Sequence, residues 1–243
     1  MASIAVYSVK GGVGKTTLAV NLAWCSASIS RRKTLLWDLD AANGSGFLLG
    51  IDPRRKHSAN SMFADGGDPA KLIRPTAIAG LDLLPADESI RAIDRTLDRL
   101  GKKKRLAKLT AAMTKDYDRI IFDCPPVLNE LSAQIMRAAD LVIVPLPPSP
   151  LSARAFEVVV EEVRGTGKGH PPILPVLSML DLRRTLHKEA RAANPAWPAI
   201  PLASAVEQCA VERRPVGAFA PRSPAARAIA QLWTAIERKL AEK

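Results

Sequence analysis

The chain has 243 residues, 47% apolar and 24% charged, with 35 Lys and Arg against 24 Asp and Glu for a net charge of +11. That length can bury a substantial core, and the composition is that of an ordinary soluble globular protein, not a fibrous or disordered one. No apolar run approaches the roughly 20 residues that span a bilayer, the opening MASIAVYS is too short for a secretory leader, and three scattered cysteines suggest neither a disulfide framework nor a zinc site.

In chain order, ASIAVYS (2–8) reads as a first strand and residues 15–29 as a helix after a glycine-rich turn. KTLLWDLD (33–40) is a second strand, followed by a loop-rich stretch over 41–80. LDLLPA (81–86) is a third strand, and 88–114 a long basic helix with a break at Gly101. RIIFDCPP (119–126) and DLVIVPLPP (140–148) are nearly continuous apolar runs, as expected of strands covered on both faces. ILPVLSM (173–179) is a later strand, and 223–242 a final helix with Ile229, Leu232, Trp233, Ile236 and Leu240 on one face. The alternation predicts an α/β fold, a mostly parallel twisted sheet with helices on both faces, and residues 1–243 as a single domain. Ligands of such sheets sit beyond the carboxyl ends of the strands. Lys10, Lys15, Asp38, Asp40 and Asp123 all follow or end strands there.

The turn after the first strand, VKGGVGKTT, nearly spells the phosphate-binding loop of nucleoside triphosphatases. That pattern asks for Gly, four residues, then Gly-Lys-Ser/Thr. Gly14, Lys15 and Thr16 supply its end, but Val9 stands where the first glycine belongs, with a second lysine, Lys10, beside it. Gly11, Gly12 and Gly14 give the backbone around Val13 the freedom to aim N–H groups at an anion, and the following helix adds its positive end. Lys15 would reach the β- and γ-phosphates, Thr16 would place its hydroxyl on Mg²⁺, and Thr17 can reach the α-phosphate region.

Asp123 ends a buried strand and can hold Mg²⁺ or its waters, or else cap a turn. In DLD, Asp38 and Asp40 can face one way, one towards a metal and one towards an attacking water; alternatively they solvate a turn. The histidines, His57, His170 and His187, read as isolated surface or loop residues, and basic residues gather at 31–33, 54–56, 102–105, 183–184 and 213–214.

Taken together, KGGVGKTT with Lys10, then DLD, then FDCPP resemble the deviant Walker A ATPases of the ParA and MinD group, where the lost glycine and gained lysine are the defining trait. ADLVIVPLPPSPLSARAF (139–156) and RRPVGAFAPRSPAARAIAQL (213–232) are similar to the corresponding segments of small plasmid-partition ParA proteins. The resemblance implies a P-loop NTPase fold and an ATP- and Mg²⁺-dependent homodimer in which two subunits sandwich two ATP molecules. Lys10 would then reach the partner's phosphates, much as an arginine finger does. Lys15 would act in cis, Asp40 would align the water, and Thr16, Asp38 and Asp123 would serve the metal. The family usually follows DLD with Pro-Gln; Ala41 and Ala42 stand here, which bears on the hydrolysis rate more than on binding.

The same resemblance implies a cytoplasmic, nucleoid-associated protein of the short type, with no operator-binding module before the loop. ATP would drive dimerisation and non-specific binding to double-stranded DNA, and a ParB-like or other partner would stimulate slow hydrolysis. The net charge of +11 agrees, because Lys and Arg contacts to phosphates dominate non-specific affinity. Position in the family nominates Arg183, Arg184, Lys188, Arg213, Arg214 and Arg222 as DNA contacts. Two alternatives remain: a MinD-like membrane-associated ATPase using the last helix, and a metabolic P-loop ligase, for which no separate substrate constellation is visible.

Overall fold

Short apolar runs take up strands wherever both their faces can be covered. The structure, a computed structural model, describes residues 1–52, 62–63, 68–100, 104–167 and 169–242. Strand β1 (Ala2–Val6) leads through the glycine turn into helix α1 (Lys15–Trp24), which ends in a π-helical turn, Cys25–Ile29. After β2 (Thr34–Asp38) come a short helix α2 (Gly44–Leu49), a two-residue strand β3 (Arg74–Pro75) and β4 (Leu81–Leu84). Helices α3 (Ile93–Leu100) and α4 (Arg105–Ala112) precede β5 (Arg119–Asp123). Then α5 (Glu130–Ala138), β6 (Leu141–Leu146), α6 (Pro150–Gly165) and β7 (Ile173–Leu180) alternate. Helix α7 (Thr185–Ala193), β8 (Ala199–Pro201), three single helical turns between residues 204 and 219, and α8 (Pro224–Ala241) complete the chain.

The eight strands among the described residues form one sheet in the order β3-β4-β2-β5-β1-β6-β7-β8. Every pairing is parallel except β3 with β4. Alternation along β5 shows how the core divides: Ile120 and Phe122 point to one face, Ile121 to the other. The first face packs Trp37 and Phe122 under α3 to α6; the second packs Ile4, Leu36 and Ile143 under α1 and α8. Strands β2, β5 and β6 are buried throughout, which accounts for the apolar runs at their centres.

Helix α8 closes the second face. Ser223 caps it by accepting from the Ala226 N–H, and Ile229, Leu232, Trp233 and Ile236 are all buried, with Leu240 packed at their margin. The apolar stripe that could have lain on a bilayer is therefore core, which removes the observation behind the membrane reading. Trp233 Nε1 donates to Ser30 Oγ at 2.8 Å, and Glu237 receives both Arg32 and Arg119 at 2.8 Å. No helix among the described residues is long and apolar enough to cross a membrane.

Several expectations need correcting. The loop-rich stretch over 41–80 also carries α2 and β3. The long basic helix over 88–114 is a 3₁₀ turn (Glu88–Ala92) followed by α3 and α4; Gly101, like the basic residues 54–56 and 102–103, lies outside the described residues. His187 is neither a surface nor a loop residue: it is buried on α7, where its Nδ1 accepts from the Asp181 N–H at 3.0 Å. Elements α5, α6, α7 and β8 were not anticipated. Cys25, Cys124 and Cys209 are free thiols, all buried, and burial raises the pKa of each, that of Cys25 to about 12.

Candidate nucleotide-binding site

The glycine turn leaves β1 near the middle of the sheet and enters α1. Gly12 and Gly14 adopt φ of 69° and 88°, left-handed conformations that a side chain would disfavour. Val9, in the place of the missing glycine, packs against the first core face. Lys15 is 8% exposed, and its Nζ donates to the Lys10 carbonyl at 3.1 Å across the mouth of the turn. Burial lowers its pKa, while the nearby Asp123 carboxylate pulls the other way. Lys10 is half-buried; its Nζ donates to Ser152 Oγ at 3.3 Å, in the first turn of α6.

The acids lie directly beside this turn. Asp38 and Asp123 end neighbouring strands and stand opposite each other in register, both at 0% exposure. Asp123 accepts from Thr16 Oγ1 at 3.2 Å on one oxygen and from Ser45 Oγ at 2.9 Å on the other. Asp38 accepts backbone N–H groups, from Asp40 at 3.0 Å and from Ser45 at 2.9 Å. Asp40 is only half-buried, and its carboxylate accepts from the Ala42 N–H at 3.0 Å. Thus Thr16, Asp38 and Asp123 converge, while Asp40 stands at the rim.

Two buried like charges are costly, and both carboxyls titrate upward. Burial, and then repulsion by Asp123, raises Asp38 well above the usual carboxylate range. Burial likewise pushes Asp123 up to about 6, against the hydrogen bonds from Ser45 and Thr16. A divalent cation would relieve this crowding, and a hydroxyl with carboxylate oxygens is the hard donor set that Mg²⁺ accepts. Among the described residues no three or more His, Cys, Asp or Glu side chains gather as a metal site. The arrangement instead suits an ion held by one or two protein oxygens and completed by phosphates.

Residues not recognised from sequence complete the surroundings. Among the described residues, Ser45 bonds to both buried acids, and it sits in the stretch read as loop-rich. Beside Thr17 lies a cavity of about 220 Å³ lined by Val13, Thr17, Met179, Pro201, Leu202 and Glu207 among others. It is mostly apolar with an acid at its wall, which suits a flat heterocycle with polar edges. Met179 reaches it from the end of β7 by a left-handed backbone, φ 52°. Its Cε comes within 3.5 Å of where a Cβ on Gly14 would stand.

The six basic residues nominated as DNA contacts are exposed, on two segments. Arg183, Arg184 and Lys188 lie between β7 and α7 or on it; Arg213, Arg214 and Arg222 precede α8. Arg183 is engaged by Asp181, at 2.8 Å to one carboxylate oxygen and 2.9 Å to the other. This contact draws the Asp181 carboxyl down to about 2. Arg213 has a left-handed backbone, φ 50°, and folds over the Phe47 ring at 5.0 Å. Arg214 donates to the Ala218 carbonyl at 3.0 Å, and the Arg222 carbonyl accepts from Arg227.

Triphosphate, cation and water would all meet at the carboxyl ends of β1, β2 and β5, and the class so defined is that of the P-loop nucleoside triphosphatases. The AAA_31 family, described as an AAA domain, matches residues 1–169. The sporulation initiation inhibitor protein Soj of Bacillus subtilis is 32% identical over 189 residues, 75% of this chain and 74% of Soj. The chromosome partitioning protein ParA of Caulobacter vibrioides is 31% identical over 194 residues, 76% of this chain and 72% of that protein. Among solved structures, the ATP complex of Cyanothece McdA superposes with a TM-score of 0.85, covering 97% of this chain and 95% of that one at 20% identity, a likeness of fold alone. The chain belongs to the ParA/MinD family of P-loop ATPases.

Proposed function

We propose that this protein is a ParA-type positioning ATPase. It binds ATP with Mg²⁺, pairs with a second copy around the nucleotides, and in that form holds double-stranded DNA without sequence preference. A ParB-like or other partner then stimulates hydrolysis and releases it, so that a plasmid, a chromosome or a protein assembly is segregated or placed. The protein works in the cytoplasm, on the nucleoid.

The observation that carries this reading is the convergence of Thr16, Asp38 and Asp123 beneath a glycine turn bearing two lysines. Backbone N–H groups over Gly11, Gly12, Val13 and Gly14 cradle the phosphates, and Lys15 neutralises charge on the β- and γ-groups. Thr16 and Asp123, supported by Asp38, would hold the cation, which would offset charge on the phosphate oxygens; Asp38 also keeps the Ser45 and Asp40 backbones in place around it. Asp40, at the rim, orients the attacking water. Thr17 lies between the phosphates and the apolar cavity, which takes the base. Lys10 crosses to the partner's phosphates, leaving Ser152. DNA binding draws support from the net charge of +11 and from exposed Arg184, Lys188, Arg213, Arg214 and Arg222, with Arg183 already engaged by Asp181.

The deciding experiment measures binding to random-sequence duplex DNA with ADP, with ATP, and with ATP after Lys10→Ala. The expected result is binding with ATP only, weakening as salt rises and lost in the variant. Nucleotide bound without DNA binding in any state would overturn the ParA reading and favour a membrane-associated or ligase role.

A further inference from the structure

Helix α2, about 9 Å long, touches the acids at one side and the basic surface at the other. Ser45 in its first turn bonds to Asp38 and Asp123. Two residues on, the Phe47 carbonyl accepts from Arg213 Nε at 3.0 Å, while the Phe47 ring, 52% exposed, lies under the Arg213 guanidinium. The helix is mounted between two left-handed residues, Asn43 at φ 49° and Gly50 at φ 69°. Among the described residues Asn43 Oδ1 is buried without a hydrogen-bond partner, a desolvation cost at the start of α2. Gly44 packs directly on Thr16, where an added Cβ would come within 2.9 Å of its methyl group, so α2 lies against the first turn of α1.

The other side of the Arg213 corner is fixed to α1. Asn21, 1% exposed, accepts from the Val216 N–H at 2.8 Å and donates to Cys209 Sγ at 3.8 Å. Residues 209–216 are thus anchored on the helix that starts with Lys15 and Thr16, and Arg213 within them is clasped by α2. A left-handed backbone is uncommon for arginine; here the Arg213 N–H caps a helical turn by donating to the Cys209 carbonyl, while its side chain is held by a hydrogen bond and a cation–π contact to Phe47. The contact therefore senses where α2 stands relative to α1.

We propose that Phe47 couples the nucleotide site to the DNA surface: the position of α2, set through Ser45 by what the acids hold, sets the pose in which Arg213 and Arg214 meet the phosphate backbone. This rests on the DNA-binding reading above. Because coupling between sites is reciprocal, DNA held at this corner would equally shift nucleotide affinity. Asn21 serves as the fixed anchor and Phe47 as the moving one.

The test compares the affinity of the full chain for random-sequence duplex DNA in ATP and in ADP, for the wild type, Phe47→Ala and Arg213→Lys. Binding of a fluorescent ATP analogue is measured on the same proteins in the absence of DNA. Phe47 is half-exposed and outside the nucleotide site, so its truncation leaves no core cavity; Arg213→Lys keeps the charge but loses the Nε bond. The expected result is an ATP-to-ADP ratio of DNA affinities reduced about fivefold or more in both variants, with binding of the analogue within about twofold of wild type. A wild-type ratio retained in either correctly folded variant overturns the coupling while leaving the DNA-binding reading intact. Absence of DNA binding by the wild type in both nucleotides overturns that reading, and the coupling with it.

Discussion

Strand β5 begins with Arg119 and ends with Asp123, both buried, and the two ends of this one strand handle charge in opposite ways. At the amino end Arg119 meets an acid: two of its nitrogens donate to Glu237, at 3.0 and 2.8 Å, and a third to a backbone carbonyl. At the carboxyl end Asp123 meets another acid, Asp38, and hydroxyls, N–H groups and the nearby Lys15 cation moderate the repulsion. A complementary pair holds α8 to the sheet; a like pair seats Thr16 and Ser45 but repels itself and is maintained at a cost. Buried groups with pKa values displaced by burial and a like charge are a mark of a functional site.

The sharpest way to break that contrast is Lys15→Ala, which removes the buried cation beside Asp123. Titration calorimetry should show ATP affinity falling by about 100-fold or more; retained affinity would dissociate the loop from nucleotide binding. Asp40→Ala should lower single-turnover hydrolysis by about 100-fold while ATP still binds, since Asp40 touches neither Thr16 nor Asp123. A parallel loss of binding would move Asp40 from orienting water to holding the nucleotide.

At the other end of the strand, Glu237→Ala leaves Arg119 buried without its acid. Denaturant unfolding should register a loss of about 2 kcal/mol, with ATP affinity unchanged. The smallest effect has the opposite sign. Because the Asp123 pKa in the folded chain, about 6, exceeds its ordinary value of 3.8, the folded form holds the proton more tightly. Its contribution is full at pH below about 4 and is lost as pH rises through about 6. Without Mg²⁺, Asp123→Asn should therefore stabilise the chain at pH 7 by about 1–2 kcal/mol and flatten that pH window. A destabilised variant, by thermal melt, would mean that the carboxylate is a structural acceptor first.

The parts of the site that follow the two periodicities were legible in the sequence. A glycine turn between strand and helix, and acids at the ends of apolar strands, place Lys15, Thr16, Asp38 and Asp123 without coordinates, because a parallel sheet leaves few places for them to go. Ser45 was not legible: it enters the site only because α2 folds back over Thr16, and GSGFLL with two glycines carries a weak helical signal. Met179 was hidden by its left-handed backbone, a conformation no pattern assigns to methionine. For α5 a signal existed, Asn129 and Ser132 in a reciprocal cap. For α7 there was none, since Arg184 provides no side-chain cap and of the helix's nine residues only His187 is buried.

The burial of all three thiols has a practical consequence. Maleimides and related dyes react with thiolate at accessible sulfur, and Cys25, Cys124 and Cys209 are each no more than 1% exposed, with their ionisation suppressed by burial. A reporter cysteine introduced on an exposed surface can therefore be labelled selectively in the otherwise native chain, with no need for a cysteine-free background. Fluorophores on α2 and on the segment before α8 would then report their separation in real time as nucleotide and DNA are added.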